Sequence, residues 1–285
     1  MKLLVIDGLN FGYRAKAGFS ADENSYSYNF FRNLRALVGI VQPTSVAFVL
    51  EGVPEQRNSL YVEYKANRVL DESDPDFVKK ALEKKIFFEN YNYCVSLMKS
   101  HFPIYVVRHA RFECDDVAHN LALKFVQDNE NSTAVISSSD TDFIQSPQRD
   151  TRIHLYNPTT KKFIAPPEHD YVAWKSLKGD EGDNIIGIKG VGEKTAAKLL
   201  KSENAGLLET LFKNAEKKSI FELNMKLVKF HEFGDEEWAG VNFTCAESNW
   251  AAVKTIFEHK RFETIVADKQ WKKFIETFES ANNEG

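Results

Sequence analysis

The sequence predicts an α/β fold, in which an open, mostly parallel sheet carries helices on both faces and a helical region follows. Two observations lead to this prediction. Over the first 170 residues, short apolar runs rich in Val and Ile alternate with segments of helical periodicity. Such alternation requires crossovers between parallel strands. From Tyr171 onwards, apolar residues recur at helical spacing without a convincing strand. The sequence therefore divides into an α/β domain at 1–170 and a helical region at 171–285.

The apolar runs that we predict to be buried strands are short and bounded by polar residues. They cover residues 3–6, 46–50, 104–107 and 134–136. Residues 28–41 and 117–126 have helical periodicity and are predicted helices of the same domain. Because ligands of open α/β sheets bind outside the carboxyl ends of the strands, polar residues that follow these runs are candidates for a site.

Nine acidic residues stand just after the predicted strands or at the start of the next helix-like segment. They are Asp7, Glu51, Glu113, Asp115, Asp116, Asp140, Asp142, Asp180 and Asp183. Carboxylates brought close together raise one another's pKa and oppose ionisation. Hard divalent cations, which prefer oxygen ligands, relieve that repulsion. The pattern therefore predicts an enzyme that depends on magnesium or manganese and acts on a phosphate compound.

The composition sets further limits on function. The formal net charge of −4 argues weakly against a nucleic-acid binder, but the remaining charge is positive once the nine acids are set aside. The three cysteines and seven histidines show no metal-ligand spacing, which suits a reducing cytoplasm and gives no zinc signal. No apolar stretch of about 18 residues is present, so no membrane span is expected. The first residues reach Asp7 before a signal peptide could form.

Residues 69–100 form an insertion between the second and third predicted strands. It contains four lysines followed by four aromatic residues, Lys79, Lys80, Lys84, Lys85, Phe87, Phe88, Tyr91 and Tyr93. Basic and aromatic side chains interleaved in this way hold single-stranded nucleic acid by charge and stacking. The alternative is an amphipathic helix that buries Val78, Leu82, Ile86 and Tyr93. Both interpretations stay open at this point.

In the segment GDEGDNIIGIKGVGEKTAAKLL, Asp180 and Asp183 precede Gly187, Gly190 and Gly192, and a helix begins near Glu193. Glycines let backbone amides approach a phosphate, and a helix N-terminus favours an anion. Gly187 and Gly192 have the spacing of a nucleotide-binding P-loop, but Glu193 stands where that loop has Lys, and no strand precedes it. A helix–hairpin–helix that grips a nucleic-acid backbone fits better.

The run EYKANR holds two basic residues, Lys65 and Arg68, three positions apart. On one helical face they would offer a point charge and a planar fork to phosphate oxygens. The alternative is a solvated helix face.

Taken together and in this order, the motifs VIDGLN, YKANR, ECDD, SSSDTDF and GDEGDNIIGIKGVGEKTAAKLL resemble the signatures of the 5′-nuclease family. That family comprises flap endonucleases, the 5′→3′ exonuclease domain of bacterial DNA polymerase I, and stand-alone bacteriophage 5′-exonucleases. The resemblance covers roughly residues 1–200, and the chain looks most like the stand-alone phage form. It implies a PIN-like sheet, a helical arch at about 69–100 and an H3TH-type helix–hairpin–helix at about 180–200.

The resemblance also implies site residues. One divalent ion would be held by Asp7, Glu51, Glu113 and Asp115 with Asp116 close by, and a second by Asp140, Asp142, Asp180 and Asp183. Catalysis would rest on Asp7, Asp115 and Asp140 together with Lys65 and Arg68, which would contact the scissile phosphate. DNA would be bound by Arg14, Lys16, Tyr64, Lys65, Arg68, Gly187, Lys189, Gly190, Gly192, Lys194 and Thr195, with a potassium ion on the backbone of the hairpin. One departure from the family pattern is Glu51, which stands where the family carries Asp.

The implied function is a monomeric 5′→3′ exonuclease and structure-specific flap endonuclease that uses two Mg²⁺ or Mn²⁺ ions in DNA replication or repair. Its expected partners are DNA with a 5′ flap, nick or 5′ end, or an RNA–DNA hybrid. The expected location is the cytoplasm, which would be that of the host if a phage encodes the protein. The alternative is a non-catalytic DNA-binding module on the same fold. A phosphohydrolase of the haloacid type is disfavoured, because Asp7-Gly8-Leu9 lacks the second acid of the Asp-x-Asp nucleophile motif.

Overall fold

The computed structural model of the chain describes residues 1–16 and 23–282, whose strands form a seven-stranded sheet and a two-stranded ribbon. The sheet contains β1 (Lys2–Asp7), β2 (Ser45–Val49), β3 (Tyr105–His109), β4 (Thr133–Ser137), β5 (Ile153–Asn157), β6 (Lys162–Ile164) and β9 (Val241–Thr244). The ribbon consists of β7 (Gly179–Asp180) and β8 (Ile185–Ile186). The order in the sheet is β6-β5-β4-β1-β2-β3-β9. The five central strands are parallel, and β6 and β9 are antiparallel edges.

The fourteen α-helices within the described ranges lie on both faces of the sheet and beyond its carboxyl edge. In chain order, α1 to α7 are Gly8–Lys16, Glu23–Val41, Glu55–Leu60, Phe77–His101, Cys114–Asp128, Gln145–Arg149 and Tyr171–Lys178. Helices α8 to α14 are Glu193–Leu199, Ala205–Phe212, Ala215–Val228, Asp235–Ala239, Trp250–His259, Glu263–Val266 and Asp268–Glu279. None of these helices is both long and apolar enough to cross a membrane.

The central strand β1 explains why the sheet is covered on both faces. Leu4, Val5 and Ile6 are completely buried, so successive side chains enter opposite cores. Leu4 and Ile6 join the core that holds Phe30 and α2, whereas Val5 joins the core that holds α5. The predicted α/β architecture, with its parallel strands near residues 3–6, 46–50, 104–107 and 134–136, is confirmed.

The prediction that no strand follows residue 171 is wrong. Residues 241–244 form β9, which pairs with β3 and closes one edge of the sheet. Helices α12 and α14 return to the sheet as well, where Phe257 and Phe274 join the core of Phe30. The chain beyond β9 therefore packs with the α/β domain. Edge strands need only one covered face, and Val241–Thr244 is too short to display a clear alternating pattern.

The insertion is a single long helix whose two halves differ. In the first half of α4, Val78, Leu82 and Ile86 are 77%, 55% and 36% exposed, so the interpretation that buries them is wrong. In the second half, Tyr91 and Met98 enter the core. The first half of α4 therefore projects from the protein with its lysines exposed, and the second half anchors it.

Gly52 is required at the start of the loop after β2. A β-carbon there would lie 2.1 Å from the carbonyl oxygens of both His109 and Phe112. These are backbone atoms, so they could move away only at a considerable cost in free energy. We expect Gly52→Ala to destabilise the protein by about 1–3 kcal/mol, the usual cost of overpacking.

The matched control is Gly39, an exposed residue of α2 with open space around it. Gly39→Ala is expected to stabilise by about 0.5–1 kcal/mol, because glycine is a poor helix former. Urea unfolding of both variants measures the effects. A Gly52→Ala midpoint equal to that of the unmodified protein would contradict the role of Gly52.

Candidate metal centre

The carboxyl ends of β1, β2 and β4 meet at one edge of the sheet, where the first group of predicted acids lies. In the register of the strands, Asp7 is opposite Val49, and Ile6 is opposite Ser137. Asp7 is buried, and its carboxylate accepts hydrogen bonds from the hydroxyl of Ser138 at 2.7 Å and the backbone N–H of Asn10 at 3.1 Å. These donors fix the direction of the carboxylate before any ligand arrives.

The acids at this edge are close enough to perturb one another. Burial, and then the charges of Asp140 and Asp7, raise the pKa of Asp115 well above its usual range. Glu51 is an exposed residue, but the protein around its carboxyl group and then the charge of Glu113 raise its pKa to about 7. Carboxyl groups whose ionisation is opposed in this way form a donor set that suits a hard cation with oxygen ligands.

The second group of acids is tightly clustered. Oxygen atoms of Asp142, Asp180 and Asp183 all lie within 4.8 Å of one another. The ammonium group of Lys175, which is buried, contacts Asp142 and lies 2.6 Å from Asp180 Oδ2. Tyr171 donates its hydroxyl to Asp142 Oδ1 at 3.0 Å. The ammonium group of Lys175 is thus already engaged by two of the three carboxylates, and the close approach of all three makes this cluster a candidate site for a divalent ion.

Lys65 and Arg68 lie against the acids of both groups. The ammonium group of Lys65 contacts Glu113 and lies 3.7 Å from Asp183 Oδ2, and the guanidinium group of Arg68 contacts Asp183. Lys65 has a left-handed backbone with φ of 57°, and a 3₁₀ turn over Ala66–Arg68 follows it. The helical face predicted for this pair is therefore wrong, because a tight turn presents both side chains to the acidic cluster.

Asp116 is bound by protein donors on both of its carboxylate oxygens. It is completely buried, and its two oxygens receive the guanidinium group of Arg57 at 2.5 and 2.8 Å and the N–H of His231 at 2.9 Å. The same guanidinium group donates to Glu113 at 2.8 Å and to the carbonyl of Leu227 at 2.8 Å. Arg57 therefore ties the start of α5 to the end of α10.

The residues expected to bind DNA fall into three environments. Tyr64 is buried, and its hydroxyl donates to Glu113 at 3.0 Å, so it supports the acids instead of offering a surface. Arg14 is half-buried and donates to the carbonyl of Pro158 at 2.8 Å, whereas Lys16 is exposed. The exposed hairpin residues are Lys189, Gly190, Gly192, Lys194 and Thr195.

The three glycines of the hairpin differ in their surroundings. A β-carbon at Gly187 would lie 2.0 Å from the carbonyl oxygen of Lys178, so this glycine allows close packing between backbone segments. Gly190 has a left-handed backbone with φ of 83°, and the space beside it and beside Gly192 is open. Only the last two expose their backbone to a ligand from outside.

Three residues of the site were not predicted from the sequence: Arg57, Lys175 and Ser138. Lys175 lies one turn after Tyr171 on the buried face of α7, so a lysine on an apolar helix face was its only signal. Ser138 stands within the run of serines that precedes Asp140. Arg57 has no signal, because its partners lie about 60 and 170 residues further along the chain.

His119, which lies beside the acidic motif, is a core residue. It is buried, its Nδ1 is 2.9 Å from the hydroxyl of Ser146, and burial lowers its pKa to about 4. The unfolded chain, with a histidine pKa near 6.5, takes up a proton as the pH falls from about 6.5 to about 4, but the folded protein does not. The contribution of neutral His119 to the free energy of unfolding is therefore complete above pH 6.5 and is lost as the pH falls from about 6.5 to about 4.

We expect His119→Gln to lose less stability than the unmodified protein on acidification from pH 7 to pH 4.5. Each unit of the pKa difference is equivalent to about 1.4 kcal/mol. Urea unfolding at successive pH values measures the difference between the two proteins. Parallel pH profiles would contradict the assignment of His119 as a buried neutral residue.

Comparison with protein families and solved structures places this geometry among nucleases. A family model for the 5′-3′ exonuclease N-terminal resolvase-like domain matches residues 2–175, and one for the 5′-3′ exonuclease C-terminal SAM fold matches residues 166–233. A 5′-3′ exonuclease of Aquifex aeolicus is 30% identical over 256 residues, covering 80% of this chain and 81% of that protein. A flap endonuclease Xni of Shewanella woodyi is 29% identical over 250 residues, covering 79% and 91%.

Other relatives are much longer. A thermostable DNA polymerase I of Thermus filiformis is 30% identical over 240 residues, which are 79% of this chain and 26% of the polymerase. The chain thus spans about a quarter of such relatives. A solved structure of T5 5′-exonuclease with bound zinc has a TM-score of 0.67 at 22% identity, covering 80% of this chain and 89% of that one. The latter similarity establishes the fold.

Proposed function

Because the chain belongs to the 5′-3′ exonuclease family, we propose that it is a metal-dependent 5′→3′ exonuclease and flap endonuclease that hydrolyses phosphodiester bonds of DNA. The observation that carries this proposal is the meeting of two groups of carboxylates at the carboxyl edge of the sheet, with Lys65 and Arg68 between them. Neither a DNA-binding module nor a structural protein needs carboxyl groups whose ionisation is opposed by burial and by each other.

We propose that two divalent ions, Mg²⁺ or Mn²⁺, bind this edge. Asp7, Glu51, Glu113 and Asp115 would hold one, and Asp140, Asp142, Asp180 and Asp183 the other. When bound, such ions supply a hydroxide nucleophile and stabilise the leaving oxygen. The donor set consists of oxygens alone, which suits Mg²⁺. In this proposal Asp116 supports the site by holding Arg57, because it is completely buried and its oxygens accept from that guanidinium group and from the N–H of His231.

Lys65 and Arg68 would act on the phosphate itself. In the protein alone they neutralise Glu113 and Asp183. With divalent ions bound to those acids, the ammonium and guanidinium groups would be free to offset charge that develops on the phosphoryl oxygens. Uncatalysed phosphodiester hydrolysis is so slow that the barrier must fall by about 20 kcal/mol. A general base alone, worth about 10²–10⁴-fold, would not suffice.

The helical part that follows the catalytic edge would hold the duplex. The space beside Gly190 and Gly192 is open, and the exposed residues Lys189, Lys194 and Thr195 are close to these glycines in the sequence. We place a potassium ion on the backbone carbonyls of this hairpin as part of the same proposal. The duplex-binding region would extend from 171 to about 233, where the second family match ends. Arg14 and Lys16 would contact the strand near Asp7.

The exposed first half of α4 would form the arch over the site. Its surface carries Val78, Leu82 and Ile86 beside the four lysines, which suits the bases and the backbone of a single strand. The substrates would be 5′ flaps, nicks and 5′ ends of DNA, or RNA primers on DNA, in the course of replication or repair. The protein would act on these substrates as a monomer in the cytoplasm, which would be that of the host cell if a phage encodes it.

Digestion of a 5′-flap duplex, a nicked duplex and an RNA-primed duplex side by side tests the proposal. With Mg²⁺ we expect cleavage of the flap and the nicked duplex, and no cleavage in chelator. The size of the first product separates exonuclease from endonuclease action. Tight binding in chelator with no cleavage after Mg²⁺ is added would instead support the non-catalytic DNA-binding module.

A further inference from the structure

Tyr91 has a buried hydroxyl group that none of the described residues satisfies. The residue is 6% exposed and lies in the second half of α4, where its ring packs against Phe30, Phe48 and Phe87. The hydroxyl oxygen has no hydrogen-bond partner within the described part of the chain. Burial of a hydroxyl without a partner is unfavourable, and native proteins rarely retain one without a reason.

The position of this hydroxyl suggests the reason. A β-carbon at Gly8 would lie 2.8 Å from the oxygen of Tyr91 and 2.4 Å from the carbonyl of Val49. Gly8 directly follows Asp7, and Val49 ends β2 two residues before Glu51. The phenol hydroxyl therefore lies at the carboxyl ends of β1 and β2. The acids of the first group stand at these same strand ends.

The phenol stays neutral in this position. Burial first, and then the neighbouring Cys114, Asp7 and Glu51, raise the pKa of Tyr91 well above its usual range. A neutral phenol at neutral pH is a hydrogen-bond donor, and the first-group carboxylates and their bound waters are acceptors. In metal sites, donors of this kind orient the ligands and tune their affinity for the ion.

We propose that Tyr91 is a positioning residue of the metal centre, whose hydroxyl donates a hydrogen bond to one of the oxygen ligands on the Asp7–Glu51 side when a divalent ion is bound. This inference rests on the proposed function, since it requires the first group of acids to bind an ion. It also links two parts of the molecule, because Tyr91 belongs to the same helix as the exposed arch. The second half of α4 would thereby be hydrogen-bonded to the metal centre when an ion is bound.

The chain offers a matched control in Tyr26. It is also 6% exposed and packs against Phe30 and Phe87 in the same core. Its hydroxyl, however, donates to the carbonyl of Gly12 at 3.1 Å. Tyr26→Phe thus removes a hydrogen bond that exists without metal, whereas Tyr91→Phe removes one that forms only with it.

The test combines thermal unfolding in chelator with calorimetric titration of Mn²⁺ into the metal-free protein, for both variants and the unmodified chain. In chelator we expect Tyr91→Phe to melt at or above the temperature of the unmodified protein and Tyr26→Phe to melt below it. For Mn²⁺ we expect Tyr91→Phe to bind about fivefold more weakly, the factor that one ordinary hydrogen bond supplies, and Tyr26→Phe to bind normally.

The outcomes separate this inference from the function on which it rests. If the unmodified protein binds Mn²⁺ and Tyr91→Phe binds it equally well, the role of Tyr91 is overturned and the proposed function stands. If Tyr91→Phe loses as much stability in chelator as Tyr26→Phe, its hydroxyl has a partner without metal and the inference is overturned. If the unmodified protein fails to bind Mn²⁺, both the inference and the proposed function fall.

Discussion

Replacing Asp115 with Asn is expected to lower single-turnover cleavage of 5′-flap DNA by about 10³-fold or more, with DNA binding retained. Asp115 stands in the first turn of α5, where burial and then the carboxylates of Asp140 and Asp7 raise its pKa. Asparagine keeps the shape but supplies no charge to a divalent ion, so stabilisation of the transition state is lost. Removing a negative charge from a surface that faces phosphates leaves DNA binding unharmed or tighter.

The control for this variant is Asp128→Asn at the end of the same helix. Asp128 is exposed, and its ion-pair partner among the described residues is Lys124 at 2.8 Å, one helical turn away. Its replacement is expected to leave the cleavage rate unchanged, because an exposed pair of this kind is worth little. Cleavage by Asp115→Asn within tenfold of the normal rate, at saturating Mg²⁺, would contradict the ligand role of Asp115.

Replacing Arg57 with Ala is expected to destabilise the protein by about 3–5 kcal/mol, the usual cost of removing one partner from a buried ion pair. Asp116 would keep a buried carboxylate whose remaining donor in the described part of the chain is the N–H of His231, and Glu113 would lose one of its donors. The carbonyl of Leu227 would lose a donor as well, so the contact between α3 and the end of α10 would weaken. Urea unfolding measures the change.

Two further variants show whether the buried charge is the cause. Arg111→Ala removes an exposed arginine whose ion-pair partner within the described ranges is the exposed Glu236 at 4.0 Å, so it is expected to change stability by less than about 1 kcal/mol. The double variant Arg57→Met with Asp116→Leu is expected to regain part of the loss, because no carboxylate of Asp116 remains to be compensated. A loss below about 1 kcal/mol for Arg57→Ala would contradict the role of Arg57.

The parts of the fold that the sequence predicts are those with a local signal. Strand β1 is readable because Leu4, Val5 and Ile6 are an apolar run buried on both faces. The convergence of Asp7 with residues more than 100 positions away follows from the rule for parallel sheets. Strand β9 lacks such a signal, since a four-residue antiparallel edge depends on β3 being available.

The supporting side chains of the site are set by tertiary contacts. Arg57 is recognisable only once the carbonyl of Leu227 and the carboxylate of Asp116 are placed beside it. Lys175 reads as an ordinary helical lysine until Asp142 and Asp180 are brought to its ammonium group. Val78 and Leu82 show the opposite difficulty. Their spacing is typical of a buried helix face, but the structure leaves both side chains exposed.

The central claim is that the two groups of acids form a metal-dependent catalytic centre for DNA hydrolysis. Its most direct test is single-turnover cleavage of a flap or nicked duplex with a labelled 5′ end by the double variant Asp140→Asn with Asp142→Asn. Asp142 lies in the tight cluster with Asp180 and Asp183, and Asp140 raises the pKa of Asp115 in the other group. We predict that no cleavage by the double variant is detected in Mg²⁺ while the unmodified protein digests the substrate. Cleavage by the double variant at the rate of the unmodified protein would contradict the claim.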